Sequence, residues 1–236
     1  MIWQVPKTWQ GETAVILAGG PSLKGFDTSA LRLRQSCGCV AHGRTIPRII
    51  CINDSWRLAP RADVFYHCDT QWWDAQIAMN PRSLDGMLSF HEAIYRGFWV
   101  CGNGLWYADH PQVHGLRFNG QSGLSDDPAA LRHGSNSGFA CINLAYLFGA
   151  KRIVLLGYDM HVEQGGRTHW HDQPRADGFA GIIKDSFLPC FDSLVEPLKA
   201  AGVEVLNATP GSALSCWPMV TLEESLKVTQ EVECQQ

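Results

Sequence analysis

The chain has 236 residues, 45% of them hydrophobic, so it is long enough to bury a large core. Its formal net charge is -4 and its pI about 6.1, with no basic block, which excludes a broad footprint on a nucleic-acid backbone. No run of about 18 apolar residues occurs, and the amino terminus has no apolar signal-peptide core, so we expect no membrane span.

Cysteine usage indicates a reducing compartment. The nine cysteines are scattered, and Cys51 and Cys141 lie in apolar runs, which is typical of reduced thiols in cytoplasmic proteins. Cys37, Cys39 and His42 stand close together, but no second pair follows at the spacing of a zinc site. We therefore predict a cytoplasmic protein and assign no metal ligands.

Short apolar runs that end in polar turns predict buried strands in the first half of the chain. The first run is Thr13–Ala18. It ends in a glycine turn of four residues: Gly19, Gly20, Pro21 and Ser22. The glycines would allow the backbone to approach a phosphate or a ribose closely. Three further strands are predicted at Arg48–Ile52, Asp63–Cys68 and Phe98–Cys101, ending at Asn53, Asp69 and Asn103.

A long segment without a clear period, residues 103–133, precedes the centre of the chain, and its length indicates a functional excursion. A polar loop beside a glycine follows: Ser135, Asn136, Ser137 and Gly138. Serine and asparagine are good helix N-caps, so we predict that a helix begins here. The free N–H groups of its first turn and the positive end of its dipole would then favour an anion.

A buried helix and a buried strand are predicted after this loop. Phe139–Phe148 is apolar on almost every side, and Gly149 stands where a helix C-cap is expected. Arg152–Leu156 is a short run of β-branched residues and leucine, which is typical of a parallel strand. The end of this strand delivers Tyr158 and Asp159 to the edge at which open parallel sheets bind ligands.

The last third of the chain begins with a second polar, glycine-rich excursion. It covers residues 161–185 and follows a strand directly, as active-site lids often do. It contains three candidate catalytic residues: Arg167, His169 and His171. The remaining predicted elements are an amphipathic helix over Phe187–Ala200, a strand over Val203–Leu206 and a terminal helix over Thr221–Val232.

Alternating strands and helices, without a repeat or a linker, predict one domain spanning residues 1–236. We expect an α/β fold: a doubly wound, mostly parallel sheet with helices on both faces and a lid excursion after the Gly-Tyr-Asp strand. Because most strand ends carry a glycine, an amide or a carboxylate, we predict a ligand crevice along one edge. Trp72, Trp73, Trp99 and Trp106 are candidates for lining it, although core packing is the more common use.

Several motifs resemble a known family. Ile16–Leu23 resembles the opening strand and nucleotide loop of the bacterial sialyltransferases of glycosyltransferase family 42, and equally those of pterin-pyrophosphokinase-like proteins. Ser135–Gly138, Ala145–Ile153 and Gly157–Asp159 resemble the second signature of the same superfamily, in the same order and at similar separation. Val203–Ser212 looks like its last strand and loop. The likeness covers most of the chain. Phage or prophage proteins of unassigned role resemble the same arrangement, and we expect the chain to be one of them.

The resemblance implies a Rossmann-like enzyme that transfers a sugar from a nucleotide-activated donor, such as a CMP-sugar, to a hydroxyl acceptor. It carries contact with the donor's phosphate and ribose onto Gly19, Gly20, Pro21, Ser22, Ser137 and Gly138. It places the nucleotide against Asn53 and the ribose against Asp159. We assign to the same site Ser135 and Asn136 at the helix start, Asp69 at a strand end, and Tyr158.

The sialyltransferases use a histidine in the excursion after this strand as general base for the acceptor hydroxyl. Here the excursion offers His169 and His171, and the motif does not separate them. A histidine suits this role because its pKa lies near neutrality. The family's tyrosines that assist the leaving phosphate have no clear counterpart, and Trp170 and Arg167 stand in this segment instead. The leaving phosphate needs stabilising donors, and the candidates are the N–H groups of the helix start, Arg167 or a metal ion.

Two other functions stay open. Pyrophosphokinase or nucleotidyl-type phosphoryl transfer would use ATP with Mg²⁺ held by Asp69 and Asp159, without a Walker lysine. An accessory protein would bind a nucleotide without catalysis. The acidic net charge favours a glycan or a small molecule over duplex DNA as acceptor. The sequence leaves open the sugar, the acceptor and the oligomeric state, a homo-oligomer included.

Overall fold

The computed structural model describes residues 3–27, 31, 46–82, 89–93, 98–102, 112–171 and 178–227. In these ranges eight strands form one sheet, and every neighbouring pair is parallel. The strands are β1 (Thr13–Leu17), β2 (Arg48–Ile52), β3 (Val64–His67), β4 (Phe98–Gly102), β5 (Val113–Phe118), β6 (Ala130–Leu131), β7 (Arg152–Leu156) and β8 (Glu204–Asn207). Their order across the sheet is β6-β5-β4-β3-β2-β1-β7-β8.

Helices and helical turns connect the strands. The α-helices in the described ranges are α1 (Thr70–Met79), α2 (Phe90–Ala93), α3 (Ser137–Phe148), α4 (Phe179–Ile182), α5 (Leu188–Ala200) and α6 (Leu222–Ser225). Short 3-10 turns cover Pro21–Leu23 and Asn53–Arg57, and a π-helical turn over Ile183–Phe187 joins α4 to α5. No helix within these ranges is both long and apolar enough to span a membrane.

Both faces of the sheet are covered. Along β1, Ala14 and Ile16 point into a core formed with α3 and α5, whereas Val15 and Leu17 point into a second core on the other face. All of these side chains are buried, as expected for a parallel strand with helices on either side. The second core is rich in aromatic rings, among them Trp56, Trp73, Phe90 and Trp99. The predicted doubly wound α/β fold is confirmed.

α3 is held at both ends as predicted. Asn136 is its N-cap, with the side-chain oxygen accepting a hydrogen bond from the Phe139 N–H at 2.9 Å. Gly149 ends the helix with φ 99°, a left-handed conformation that favours glycine. The one polar side chain buried deep in the helix, Asn143, accepts from the Ser125 and Arg132 N–H groups at 3.1 Å. This side chain fastens the loop before β6 to α3.

The order in which strands are added to the sheet reverses at β1. From β1 it moves outward through β2 to β6, and α3 then returns it to β7, which pairs with the opposite side of β1. Loops leave the carboxyl ends of β1 and β7 toward opposite faces at such a switch point, and a crevice opens between them. The fold therefore places the glycine turn after β1 beside the Gly-Tyr-Asp segment after β7.

The predicted segment 103–133 contains two strands that its composition did not indicate. β5 lies near one end of the sheet and carries a half-buried His114, Gly115 and an exposed Arg117, so no apolar alternation marks it. The terminal helix is described only over Leu222–Ser225, where Thr221 and Glu224 form a capping box. Asn103, Trp106, the Cys37, Cys39 and His42 group, and residues 228–236 lie outside the described residues.

Candidate active site

A cavity of about 970 Å³ opens along the carboxyl edge of the sheet. Its walls come from the turns after β1, β2, β3 and β7, the start of α3, and the segment that precedes residue 172. Eleven of the residues proposed from the sequence line it: Gly19, Gly20, Asn53, Asp69, Ser135, Asn136, Ser137, Gly138, Asp159, His169 and His171. The structure thus brings together residues that are scattered over 150 positions of sequence.

Four proposed residues do not line the cavity, and three of them support its walls. Pro21 and Leu23 bound the buried 3-10 turn in which Ser22 lies. Tyr158 is buried and donates its hydroxyl hydrogen to the Gly138 carbonyl at 3.0 Å, which steadies the start of α3. Arg167 lies apart from the cavity, with Nη1 4.0 Å from Glu163 Oε2.

Asp159 fastens the two sides of the crevice together. It is 3% exposed, and its two carboxylate oxygens accept from the Ser22 N–H and the Ser22 hydroxyl, each at 2.8 Å. Burial raises the pKa of the Asp159 carboxyl above its ordinary value, and the two hydrogen bonds from Ser22 act in the opposite direction. A ribose contact at Asp159 would add to this clamp, because each oxygen retains a further lone pair.

His169 and His171 face different walls of the cavity. The His169 ring lies over Gly19, where a Cβ would come within 2.9 Å of His169 Cδ2, and His169 Nδ1 is 2.8 Å from Thr168 Oγ1. The backbone N–H of Trp170 donates to the Gly19 carbonyl at 3.0 Å, which holds this segment against the glycine turn. The two imidazole centroids are 5.1 Å apart.

His171 is directed toward a carboxylate. Its Nε2 lies 3.6 Å from Asp54 Oδ2. The same oxygen of Asp54 accepts from Trp72 Nε1 at 2.8 Å, so the carboxylate is fixed in position. A carboxylate that contacts one ring nitrogen orients the imidazole. Asp54 directly follows the predicted Asn53, and its place at a strand end was the signal that could have revealed it.

Buried polar atoms without partners surround the same space. Asn53 Oδ1 and Gln76 Oε1 are buried and accept no hydrogen bond from any described residue, and both residues line the cavity. Buried polar groups in proteins are almost always satisfied, so such atoms indicate a missing partner. Asn53 also has φ 49°, a left-handed conformation that asparagine tolerates better than most residues. The periodicity of the sequence could not reveal Gln76, which lies inside α1.

Two further residues were missed by the sequence analysis. His161 lines the cavity, and its Nδ1 lies 2.9 Å from the Asp159 carbonyl oxygen. Cys68, at the end of β3, has its sulfur 3.2 Å from Ser137 Oγ at the start of α3. Within the part of the chain that the structure describes, no cluster of three or more His, Cys, Asp or Glu side chains is arranged to hold a metal ion.

The comparison with solved proteins bears on the fold. No family model and no curated protein matches the sequence. The structure is similar to that of the sialyltransferase CstII from Campylobacter jejuni in complex with a substrate analogue, cytidine 5′-monophosphate. The TM-score is 0.54 at 14% sequence identity, over 93% of this chain and 88% of that one. The chain shares the fold of a sialyltransferase. The predicted resemblance is confirmed at this level.

Proposed function

We propose that this chain is a glycosyltransferase-like enzyme, which binds a nucleotide-activated sugar and transfers the sugar to a hydroxyl acceptor. A CMP-sugar is the first candidate donor. The observation that carries the proposal is a single cavity that collects the glycine turn after β1, the start of α3 and two histidines. The proposal is supported by the sialyltransferase fold, which extends over 93% of the chain.

The donor's phosphate would lie between the glycine turn and α3. Gly19 and Gly20 line the cavity on one side, and Ser137 and Gly138 line it at the first turn of α3. A helix of 12 residues presents the positive end of its dipole and its first N–H groups to that space. Asn53 and Asp159 would hold the nucleoside, in agreement with the roles that the family resemblance implies.

We assign the role of general base to His171. Its contact with Asp54 would stabilise the imidazolium that forms when it accepts the acceptor's hydroxyl proton. The deprotonated oxygen then forms a bond to the anomeric carbon, while the bond from that carbon to the donor's phosphate oxygen breaks. The nucleoside monophosphate leaves with the bonding electrons. His169, whose ring lies over the glycine turn, would face the donor's phosphate.

The decisive experiment is thermal stabilisation by a panel of nucleotides. The panel contains CMP, UMP, CDP, UDP, their sugar conjugates, and ATP with Mg²⁺. A ligand at about 100 times its Kd stabilises the folded state by about 2.7 kcal/mol, which a melting curve resolves. We expect CMP and CMP-sugars to stabilise the protein without a metal ion. Stabilisation by ATP with Mg²⁺ alone would favour phosphoryl transfer instead, and no response to any nucleotide would refute the proposal.

A double variant separates an enzyme from a binding protein. His169→Ala with His171→Ala removes both imidazoles but leaves Asn53 and the start of α3 in place. We expect CMP still to stabilise this variant, although less than the wild type because the His169 ring is removed from the glycine turn, while release of CMP from a CMP-sugar falls to background. Equal turnover in the variant and the wild type would show that the histidines do not act in catalysis.

A further inference from the structure

Arg57 is a cation in the cavity wall that has no counter-charge among the described residues. It ends the 3-10 turn that follows β2 and lines the cavity. Its Nε is buried and has no hydrogen-bond partner among the described residues, and no described carboxylate forms an ion pair with it. Arg57 is also the one lysine or arginine among the described residues that line this cavity.

Two acidic residues of the cavity lining, Asp54 and Asp69, are already engaged with other groups. Asp54, three positions earlier in the turn, accepts from Trp72 and faces His171. Asp69 caps α1 by accepting from the Gln71 and Trp72 N–H groups at 2.9 and 3.3 Å. Neither carboxylate is paired with Arg57, so the positive charge of the guanidinium is not neutralised within the wall.

The position of Arg57 is nevertheless fixed. Its guanidinium carbon lies 5.9 Å from the centre of the Trp170 ring, at the distance of a cation–π contact. Trp170 is in turn hydrogen-bonded to Gly19, and Ser55 in the same 3-10 turn donates its hydroxyl hydrogen to the Ala18 carbonyl. An aromatic face attracts the charge but leaves the in-plane N–H donors of the guanidinium available to a ligand. The Arg57 guanidinium is thus held beside the part of the cavity wall formed by the glycine turn.

We propose that Arg57 is an anion subsite of this cavity, which binds a phosphate or carboxylate group of the ligand. Arg57 is half-buried, and leaving its buried Nε without an acceptor is unfavourable, so a bound anion would remove that penalty. The planar fork of arginine matches both groups in a bidentate manner. The inference that the anion belongs to a nucleotide-sugar rests on the function proposed above.

The subsite replaces the role that the sequence analysis gave to Arg167. Arg167 lies outside the cavity lining and 4.0 Å from Glu163, whereas Arg57 lies in the lining. A cation beside a departing phosphate stabilises the negative charge that develops on it. Arg57 would therefore serve where the tyrosines of the sialyltransferases have no counterpart in this chain.

Calorimetric titration of Arg57→Gln with CMP, cytidine, inorganic pyrophosphate and CMP-N-acetylneuraminic acid tests the subsite. We expect the Kd for CMP to rise roughly 10- to 100-fold while the Kd for cytidine is unchanged, since a lost charge-assisted bond has about this effect. If only the CMP-sugar is weakened, the anion is the sugar's carboxylate rather than the phosphate. Equal weakening of cytidine and CMP would overturn the subsite, because it would show a general structural effect.

Three further variants complete the test. Arg61→Gln removes the same charge from an exposed position outside the cavity lining, and we expect it to bind every ligand as the wild type does. Arg57→Lys keeps the charge but not the fork, so it should retain part of the affinity, and it replaces Arg57→Gln if that variant does not fold. Weakening by Arg167→Gln but not by Arg57→Gln would return the role to Arg167.

The subsite and the proposed function can fail separately. If the wild type binds pyrophosphate in an Arg57-dependent manner but no cytidine nucleotide, the subsite stands and the CMP-sugar donor is refuted. If the wild type binds CMP and Arg57→Gln binds every anion equally well, the function stands and the subsite is refuted. If the wild type binds none of these anions, both are refuted.

Discussion

At the scale of single residues, Gly20 shows how a side chain that is distant in sequence, Asp159, can require glycine at a position. Its φ of -66° and ψ of 157° are accessible to any residue, so the backbone does not require glycine. The requirement is steric, because a Cβ at this position would overlap Asp159 Oδ2 and lie 2.5 Å from the Gly157 carbonyl oxygen. Glycine is therefore required at position 20 because Gly157 and Asp159, directly after β7, leave no room for a side chain.

Gly20→Ala should therefore destabilise the protein. We expect a loss of about 1–3 kcal/mol in the free energy of unfolding, as for other overpacked sites, measured by urea denaturation. Gly181→Ala is the control, since Gly181 lies in α4 with open surroundings and alanine favours helices. A Gly20→Ala variant as stable as Gly181→Ala would contradict the close packing of β7 against the turn.

The two histidines should have separable effects on turnover of a CMP-sugar. His171→Ala should lower kcat by about 10²–10⁴ with little change in KM, the range expected for loss of a general base. His169→Ala should raise the KM for the donor, because its ring lies over the glycine turn. Asp54→Asn should also lower kcat, since it removes the carboxylate that lies 3.6 Å from His171 Nε2. The reverse pattern would exchange the assignments of His169 and His171.

Site residues that carry a local signal in the sequence could be predicted. Asn53 and Asp159 stand at predicted strand ends, and the parallel topology explains why they meet. Arg57 had no such signal, because it is distinguished only by a buried Nε that has no partner among the described residues of the folded chain. Arg167 was one candidate because it lies in the same segment as the histidines, yet it is not among the residues that line the cavity.

At the scale of elements, α3 joins the core to the site. It is buried along nearly its whole length and lies against β1, β2 and β3, which explains why its sequence has no polar face. Its buried Asn143 satisfies two backbone N–H groups of the segment before and after β6. One amide therefore holds both the edge of the sheet and the helix whose first turn forms a cavity wall.

Asn143→Leu should be strongly destabilising. It leaves the N–H groups of Ser125 and Arg132 without their acceptor, at a cost of about 1–3 kcal/mol for each buried group. Tyr146→Phe is the control on the same helix, because it removes a hydroxyl that bonds Asp126 at the protein surface, and we expect a change below about 1 kcal/mol. Chemical denaturation measures both, and similar losses in the two variants would contradict the role of Asn143.

The prediction of elements succeeded where burial was complete. β2 and β7 have the bounds expected from their apolar runs, because both faces of a central parallel strand are covered. β5 and β6 escaped prediction because β5 is only partly buried and β6 has two residues, so tertiary pairing rather than composition defines them. The strands at this edge of the sheet can therefore be recognised only in the folded structure and not from the sequence.

At the scale of the whole molecule, buried His67 links stability to pH. It is 0% exposed and stacks on Trp73 with ring centroids 4.8 Å apart. Burial lowers the pKa of His67 from its ordinary 6.5 to about 3. The unfolded chain therefore binds a proton that the folded chain excludes between these values, so the contribution of His67 to stability is lost as the pH falls below about 6.5.

His67→Phe should flatten this dependence. Between about pH 7 and pH 5 the wild type should lose about 2 kcal/mol of unfolding free energy through His67 alone. Other titrating groups affect both proteins equally, so the difference between the two urea-denaturation series isolates this histidine. The phenylalanine ring keeps the stack on Trp73. Parallel pH curves for the two proteins would show that His67 does not remain neutral in the fold.

The pairing of β1 with β7 also governs when the cavity can exist during synthesis. Thr13 pairs with Arg152, and Ser22 is hydrogen-bonded to Asp159. The glycine turn is therefore synthesised long before the segment after β7 that it contacts. About two thirds of the chain must be made before the two walls can meet. Pairings of such long range form slowly and leave strand edges uncovered meanwhile. A nascent chain that stops short of β7 exposes one flank of β1 and lacks the cavity residues that follow β7.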